Sequence, residues 1–451
     1  MARNFDADSL ITFLNASPTS YHAVEEAAQK LQTLGAKKLD EKTSWNLKPG
    51  ELVYTIRNAS SIIAFRLPEI FDADKNTFHI IAAHTDSPCL KLKPNAQSSI
   101  ANYQKWGVEV YGGVLYNSWL DRDLGLAGRI TKHNASGLHS FLARMEMKPL
   151  RIPQLAIHLD RNVNENGLIL NAQRHLSPIL GLTDGDSTKG RYNSSANLSP
   201  NSPSAFSQSS SHGLENWLTE IAAAPLEEIT FDLHLFDTSP AGYGGLDDEF
   251  IYSGRLDNLA MTHAALEALS RETASKYTVQ MIALFDHEEV GSTSAQGANS
   301  NLLETVLERC NIAFGNSREQ ALAMQARSEM ISADMAHAIH PNYPEKHDPE
   351  HFPLLNHGPV IKGNANQRYA TTAETAARFK QVCQKAGIPV QNFVSRSDLA
   401  CGTTIGPHLA ASLGINTIDI GNPMLSMHSA REMGGSEDHG MMIRALRMFL
   451  Q

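Results

Sequence analysis

A block of buried strands and a later block of strands alternating with helices, separated by about 150 residues of a different pattern, constrain this chain more than any other feature of its sequence. The first block runs from about Glu51 to Thr85. Within it Phe78-His79-Ile80-Ile81-Ala82-Ala83 is nearly all apolar, as a strand covered on both faces must be. The second block starts near Leu246. There LDNLAMTHAALEAL has helical spacing, with Leu259, Leu266 and Leu269 near one face; TVQMIALFD reads as a buried strand, and MISAD and INTIDIG as two more. Strands alternating with helices predict an α/β fold, with a mixed, mostly parallel sheet and helices on both faces. Between the blocks, WGVEVYGGVLYNSWLDRD and ITFDLHLFD show short alternations broken by glycine, which is the antiparallel pattern. In the latter, Phe231, Leu233 and Leu235 face one side, Asp232 and His234 the other. The economical reading is one α/β domain made of residues 1–90 and 246–451, with a β-rich domain, residues 91–245, inserted into it.

Composition narrows the function. A formal charge of −10 and a pI near 6.0 argue against a nucleic-acid protein, which carries a basic stripe to neutralise phosphates. The four cysteines, Cys89, Cys310, Cys383 and Cys401, are too scattered for a disulfide scaffold and form no CxxC pair, so reduced thiols are expected. The N-terminal stretch reads as an amphipathic helix, a turn around Pro18 and a second helix, not as a secretion signal. No apolar run has the length of a membrane span. A soluble, cytoplasmic protein is the expectation. Ten of the 26 residues from Ser187 to His212 are serine, a composition that suits a surface loop rather than a packed segment.

Five places set a histidine or carboxylate at a strand end or helix start: His84 and Asp86 after the Phe78–Ala83 strand, Asp257 in GRLDNLA, Glu288 and Glu289 in DHEEVGS, Asp334 after MISA, and His428 in MLSMHSAREMGG. In isolation each has an ordinary structural reading. An adjacent Glu-Glu pair suits a helix start, and Asp257 suits a helix cap. In an open α/β sheet, however, the crevice lies beyond the carboxyl ends of the strands, where these residues converge. Imidazole plus carboxylate is a donor set for Zn²⁺ and similar first-row ions. In extended backbone His84 and Asp86 point the same way, so Asp86 is placed to accept a hydrogen bond from the second ring nitrogen of His84 and orient it.

The stretches AAHTDSPCLKLKP, GRLDNLA, DHEEVGS, SADMAHAIHPNY, GPVIKGNANQRYAT and MHSAREMGGSEDH together resemble the M18, or aspartyl aminopeptidase, family. That resemblance implies a fold similar to the dinuclear zinc exopeptidases, with the inserted domain serving oligomerisation. It implies two divalent metal ions, Zn²⁺ or else Co²⁺ or Mn²⁺. Asp257 would bridge them, with His84 and Asp334 completing one site and Glu289 and His428 the other. Glu288 would be the general base and Asp86 the orienter of His84. His337, Lys362 and Tyr369 match positions that contact substrate, and His158 matches a histidine that reaches into the site of a neighbouring subunit. The resemblance further implies a homo-dodecamer built from dimers, and peptide substrates with a free N-terminus and an acidic first residue. Some members of the family prefer neutral, hydrophobic residues.

Other chemistries fit less well. The chain has neither a GxSxG elbow nor an HExxH helix, and nothing in the spacing fixes a histidine partner for Cys89 or Cys401. A dinuclear carboxypeptidase or deacylase is the alternative among enzymes. A non-catalytic oligomeric scaffold is the alternative outside them, and it is disfavoured because the base and all five ligand positions are retained.

Overall fold

A computed structural model of the chain describes residues 4–135, 137–182 and 214–451. The serine-rich stretch from Ser187 to His212 lies outside the described residues. Two compact units divide the chain, Met1–Pro88 with Pro240–Gln451, and Cys89–Ser239.

The first unit is built on a nine-stranded sheet. Its spatial order is Lys37–Leu39, Leu52–Arg57, Ser61–Arg66, Thr278–Phe285, Thr77–His84, Glu329–Ala333, Asn416–Gly421, Val360–Gly363 and Gln391–Val394. The central strands Thr278–Phe285, Thr77–His84, Glu329–Ala333 and Asn416–Gly421 are all parallel, and antiparallel neighbours flank them. Because side chains alternate across a strand, each central strand feeds two cores. Ile81 and Ala83 join helices Phe5–Ala16, Ser20–Thr33, Leu256–Ser270, Ala373–Ala386 and Ser436–Leu450 on one face. Phe78, Ile80 and Ala82 join helices Leu302–Phe314 and Ile405–Leu413 on the other. Burial on both faces explains why these strands read as continuous apolar runs.

Helix Leu256–Ser270 departs from the one-faced pattern expected of it, since every residue from Leu256 to Leu269 is buried. It packs against the sheet and against helices Phe5–Ala16 and Ser436–Leu450, which covers His263 and Glu267 as thoroughly as the leucines. A second, five-stranded sheet in this unit pairs Gly242–Gly244 with Phe250–Ser253, then Glu432–Gly435, Pro423–Leu425 and Ala336–His337. Pairing thus places Gly242–Gly244, grouped with the insert in the sequence reading, within the first unit.

Among the described residues, the second unit is built on a six-stranded antiparallel sheet. Its order is Gly137–Leu150, Leu124–Asn134, Ile229–Asp237, Cys89–Ile100, Tyr103–Tyr111 and Ile179–Leu182. Among the described residues no helix is long and apolar enough to cross a membrane.

Candidate metal centre

Strand register decides where the chain leaves the sheet. Phe285 stands opposite His84 in the central parallel pair, and the Thr85 amide donates to the Phe285 carbonyl at 2.7 Å. His84 therefore ends one strand beside the turn that carries Glu288 and Glu289. Asp334 follows the next strand, its amide donating to the Ile420 carbonyl at 2.9 Å. That approach requires Gly421, because a Cβ there would lie 1.8 Å from the Asp334 carbonyl oxygen.

Asp257 precedes the regular helix rather than opening it. Asp257 and Asn258 have non-helical dihedrals, and the peptide between them is cis. Asn258 Nδ2 donates to the Ala333 carbonyl at 2.9 Å, and Ser87 Oγ to the Asp257 carbonyl at 2.5 Å. These bonds tie the turn to the strand ends bearing Asp334 and His84. His428 lies on the turn after Pro423–Leu425, with its backbone in the left-handed region at φ 67°.

The five predicted ligand residues converge. His84 Nε2 is 3.6 Å from Asp257 Oδ1 and 3.8 Å from Asp334 Oδ1. His428 Nε2 is 3.4 Å from Asp257 Oδ2 and 3.5 Å from Glu289 Oε2. Asp257 thus presents one oxygen to each of two triads, His84–Asp257–Asp334 and Asp257–Glu289–His428. These separations exceed those of good hydrogen bonds. They match the roughly 3.4 Å expected between ligand atoms held about 2.0–2.2 Å from a shared tetrahedral cation. Asp257 Oδ1 is buried and makes no hydrogen bond. A buried acceptor without a donor calls for another partner, and a cation supplies one. The residues present therefore fit a metal pair.

The electrostatics point the same way. Burial pushes Glu288 up to about 8, and the nearby carboxylates of Asp334, Asp86 and Asp257 add to the push while His84 opposes it. Burial and neighbouring carboxylates likewise raise Glu289 and Asp257. Burial by itself would lower His84, but the carboxylates of Asp334, Asp86 and Glu288 around its ring hold it well above an ordinary histidine. Burial would raise Asp334, yet the Lys362 ammonium and His84 hold it well below the usual carboxylate range. So many buried carboxylates on one spot are costly without positive charge among them.

Two further carboxylates organise this spot. Asp86 Oδ1 accepts from the Glu288 amide at 3.2 Å and Oδ2 from the Glu289 amide at 3.1 Å. Nδ1 of His84 lies 3.1 Å from the Asp86 carbonyl and 3.3 Å from its Oδ1. An N–H at Nδ1 directed to these acceptors leaves Nε2 as the bare ligand atom. Glu432, which the sequence reading did not single out, is 2 % exposed. It accepts from the amides of His428 at 2.8 Å and Asp257 at 3.2 Å.

The family model described as aminopeptidase I zinc metalloprotease (M18) matches residues 13–450. The chain belongs to the M18 family. It is a metallo-aminopeptidase, a hydrolase that releases N-terminal residues from peptides. A probable aspartyl aminopeptidase of Ricinus communis is 42% identical over 456 residues, covering 96% of this chain and 92% of its own. A probable M18 family aminopeptidase 2 of Pseudomonas aeruginosa is 43% identical over 440 residues, covering 98% and 96%. Among solved structures, the S. cerevisiae mApe1 dodecamer matches with a TM-score of 0.80 at 30% identity, covering 99% of this chain and 96% of that one.

The substrate residues implied by the M18 resemblance lie in three settings. His337 and Tyr369 line one cavity of about 300 Å³ in the first unit. Lys362 is 2 % exposed; its ammonium donates to the Met335 carbonyl at 2.9 Å and lies 3.8 Å from Asp334 Oδ2 and 5.2 Å from the centre of the Tyr369 ring. His158 belongs to the second unit, exposed on the single turn Ile157–Leu159.

Proposed function

We propose that this M18 aminopeptidase is a dinuclear enzyme with a preference for acidic N-terminal residues. The observation that carries the reading is the sharing of Asp257 between two histidine–carboxylate triads. His84 and Asp334 would hold one divalent ion, Glu289 and His428 the other, with Asp257 between them. Zn²⁺ suits these donors, and Co²⁺ or Mn²⁺ would also be accepted. When bound, the ions acidify a water and polarise the scissile carbonyl. The chain's own part falls to Glu288, which is half-buried beside the ligands; it groups with His84 and Glu289 but lies outside the two triads that share Asp257. As water attacks the carbonyl carbon, Glu288 takes its proton. As the C–N bond breaks, Glu288 passes that proton to the leaving amine. Asp86 holds Glu288, Glu289 and His84 in mutual register throughout.

The acidic preference is supported by the cavity that His337 and Tyr369 line. His340, Lys346, His347 and Arg396 also border it, and among the described residues Asp348 is its one acidic lining residue. The Lys346 ammonium and the Arg396 guanidinium, the latter also paired with Asp398, would receive an Asp or Glu side chain. Lys362, buried against Asp334, would act from beneath this cavity. Assembly into a homo-dodecamer built from dimers belongs to the same reading. The run 155–169 exposes Leu155, Ile157, Leu159, Leu168 and Ile169, an apolar surface of the kind a second copy covers, and His158 stands among them to enter a neighbouring subunit's site. A cytoplasmic setting fits the buried thiols of Cys310 and Cys383.

Hydrolysis of dipeptides with N-terminal Asp, Glu, Leu, Lys or Ala, before and after chelation and metal re-addition, tests the proposal. Metal-restored release led by Asp and Glu is the expected result. Release led by Leu or Ala would discard the acidic preference and retain the metal chemistry. A bound-metal analysis giving one ion per chain at saturation would discard the dinuclear centre.

A further inference from the structure

Asp257 and His428 come from loops on opposite sides of the sequence, and both lie on backbone that no regular ladder supports. Asp257 follows Arg255, in the left-handed region at φ 65°, and is itself non-helical; His428 is left-handed. Neither residue's N–H has a place in a helix or sheet, yet a buried N–H without an acceptor is costly. One side chain accepts both. Glu432 opens the strand Glu432–Gly435 opposite Ser253, and it turns Oε1 to the His428 amide and Oε2 to the Asp257 amide.

We propose that Glu432 is a positioning residue for one of the two metal sites, the one formed by Asp257, Glu289 and His428. The inference rests on the dinuclear reading of the centre. Its selectivity follows from which bonds reach which ligand. Glu432 sets the distance between the carboxylate of Asp257 and the imidazole of His428, two of that site's three ligands. The other site has separate supports. His84 is fixed by Asp86 and by Thr262 Oγ1, which donates to its carbonyl at 2.7 Å; Asp334 is fixed by the Ile420 carbonyl and the Lys362 ammonium. Asp257 belongs to both sites, but its side toward Asp334 is also anchored by Asn258 on the Ala333 carbonyl. Loss of the Glu432 bridge therefore acts directly on His428 and Asp257, and least on His84 and Asp334.

The test is metal binding, read apart from turnover. Chelator-stripped wild type and Glu432→Gln are titrated with Zn²⁺ against a chromophoric competitor, and bound metal is counted after dialysis. Glutamine keeps one acceptor oxygen but meets the second amide with an NH₂ group, donor against donor. Wild type should bind two equivalents. Glu432→Gln should bind the first as wild type does and the second about 10–100-fold more weakly, the usual effect of losing a group that orients a ligand. Equal affinity for both equivalents, or equal weakening of both, would overturn the proposal. Failure of wild type to bind two equivalents would instead overturn the dinuclear reading. Glu432→Asp, which keeps both oxygens on a shorter arm, serves if the glutamine variant does not fold, and the same selective weakening is expected of it. Apoproteins of both variants that fail to fold would assign Glu432 to the fold and overturn the selective role.

Discussion

Oδ1 of Asp86 lies 3.3 Å from Nδ1 of His84, and the same carboxylate accepts the backbone amides of Glu288 and Glu289. A single side chain thereby links the end of strand Thr77–His84 to the turn after Thr278–Phe285. The proposed base and two proposed ligands are held by one group that is itself only 4 % exposed. Burial of the linking carboxylate keeps water from competing for its hydrogen bonds, so its geometry is passed on to the residues it holds.

Replacing Asp86 by Asn retains the size of the side chain but turns an NH₂ group toward one of these amides. Metal affinity should fall about 10–100-fold and kcat/KM should fall with it. Titration of the stripped variant with Zn²⁺ checks this, and wild-type affinity would remove Asp86 from its positioning role.

Glu288→Gln separates base from ligand. The variant should retain the full complement of bound metal while kcat falls at least ~10²-fold, the lower end of the usual acid–base contribution. Near-normal turnover in the metal-replete variant would rule out Glu288 as the base.

Removal of metal should also be legible in stability. Ligand carboxylates gathered in a buried place repel one another, and ions that bind only the folded state stabilise it. Each site should add about 2.7 kcal/mol at a free ion concentration 100 times its Kd. A thermal melt should shift downward by several degrees after chelation and recover on re-addition. An unchanged Tm would contradict a metal centre integral to the fold.

His439 and His263, the latter six residues along the helix from Asp257, give the protein an acid-sensitive point. Nε2 of His439 is 2.8 Å from Nδ1 of His263, and both rings are buried. Burial lowers His439 to about 4, and burial together with His439, Lys30 and Arg271 holds His263 well below its ordinary value. An unfolded histidine titrates near pH 6.5, so between about 6.5 and 4 the unfolded state binds protons that the folded state refuses. Stability is therefore full above about pH 6.5 and is lost as pH falls toward 4; His439 accounts for up to about 3 kcal/mol of that loss. Melts between pH 7.5 and 5 should show a steeper decline for wild type than for His439→Gln. Parallel curves would exclude the pair as the source.

How far the sequence carries can be judged residue by residue. Strand runs such as Phe78–Ala83 and Thr278–Phe285 announce themselves because burial on both faces demands continuous apolar residues, and the parallel sheet follows. With the sheet given, His84, Glu289 and Asp334 fall at strand ends, where crevices form. The residues grouped as ligands could thus be named from sequence and motif together. Helix Leu256–Ser270 was only half legible. Its leucine spacing marks a helix, but nothing in that spacing says that His263 and Glu267 are covered too.

Glu432 was illegible for a plainer reason. A glutamate that opens a four-residue strand has no periodic signature, and one of its partner amides belongs to Asp257, 175 residues away in the chain. The same holds for Gly421, whose missing side chain matters only because the Asp334 carbonyl oxygen would lie 1.8 Å from a Cβ at that position. By itself the sequence determined which segments become strands and helices and which residue types stand at their ends, because hydrophobic periodicity and turn chemistry are local. Only the tertiary structure decided which backbone amides share a carboxylate, which ammonium lies against which ligand, and how the oxygens of Asp257 divide between two triads. Those are distances between chain segments, and they are set by strand register and packing rather than by any residue's neighbours in the chain.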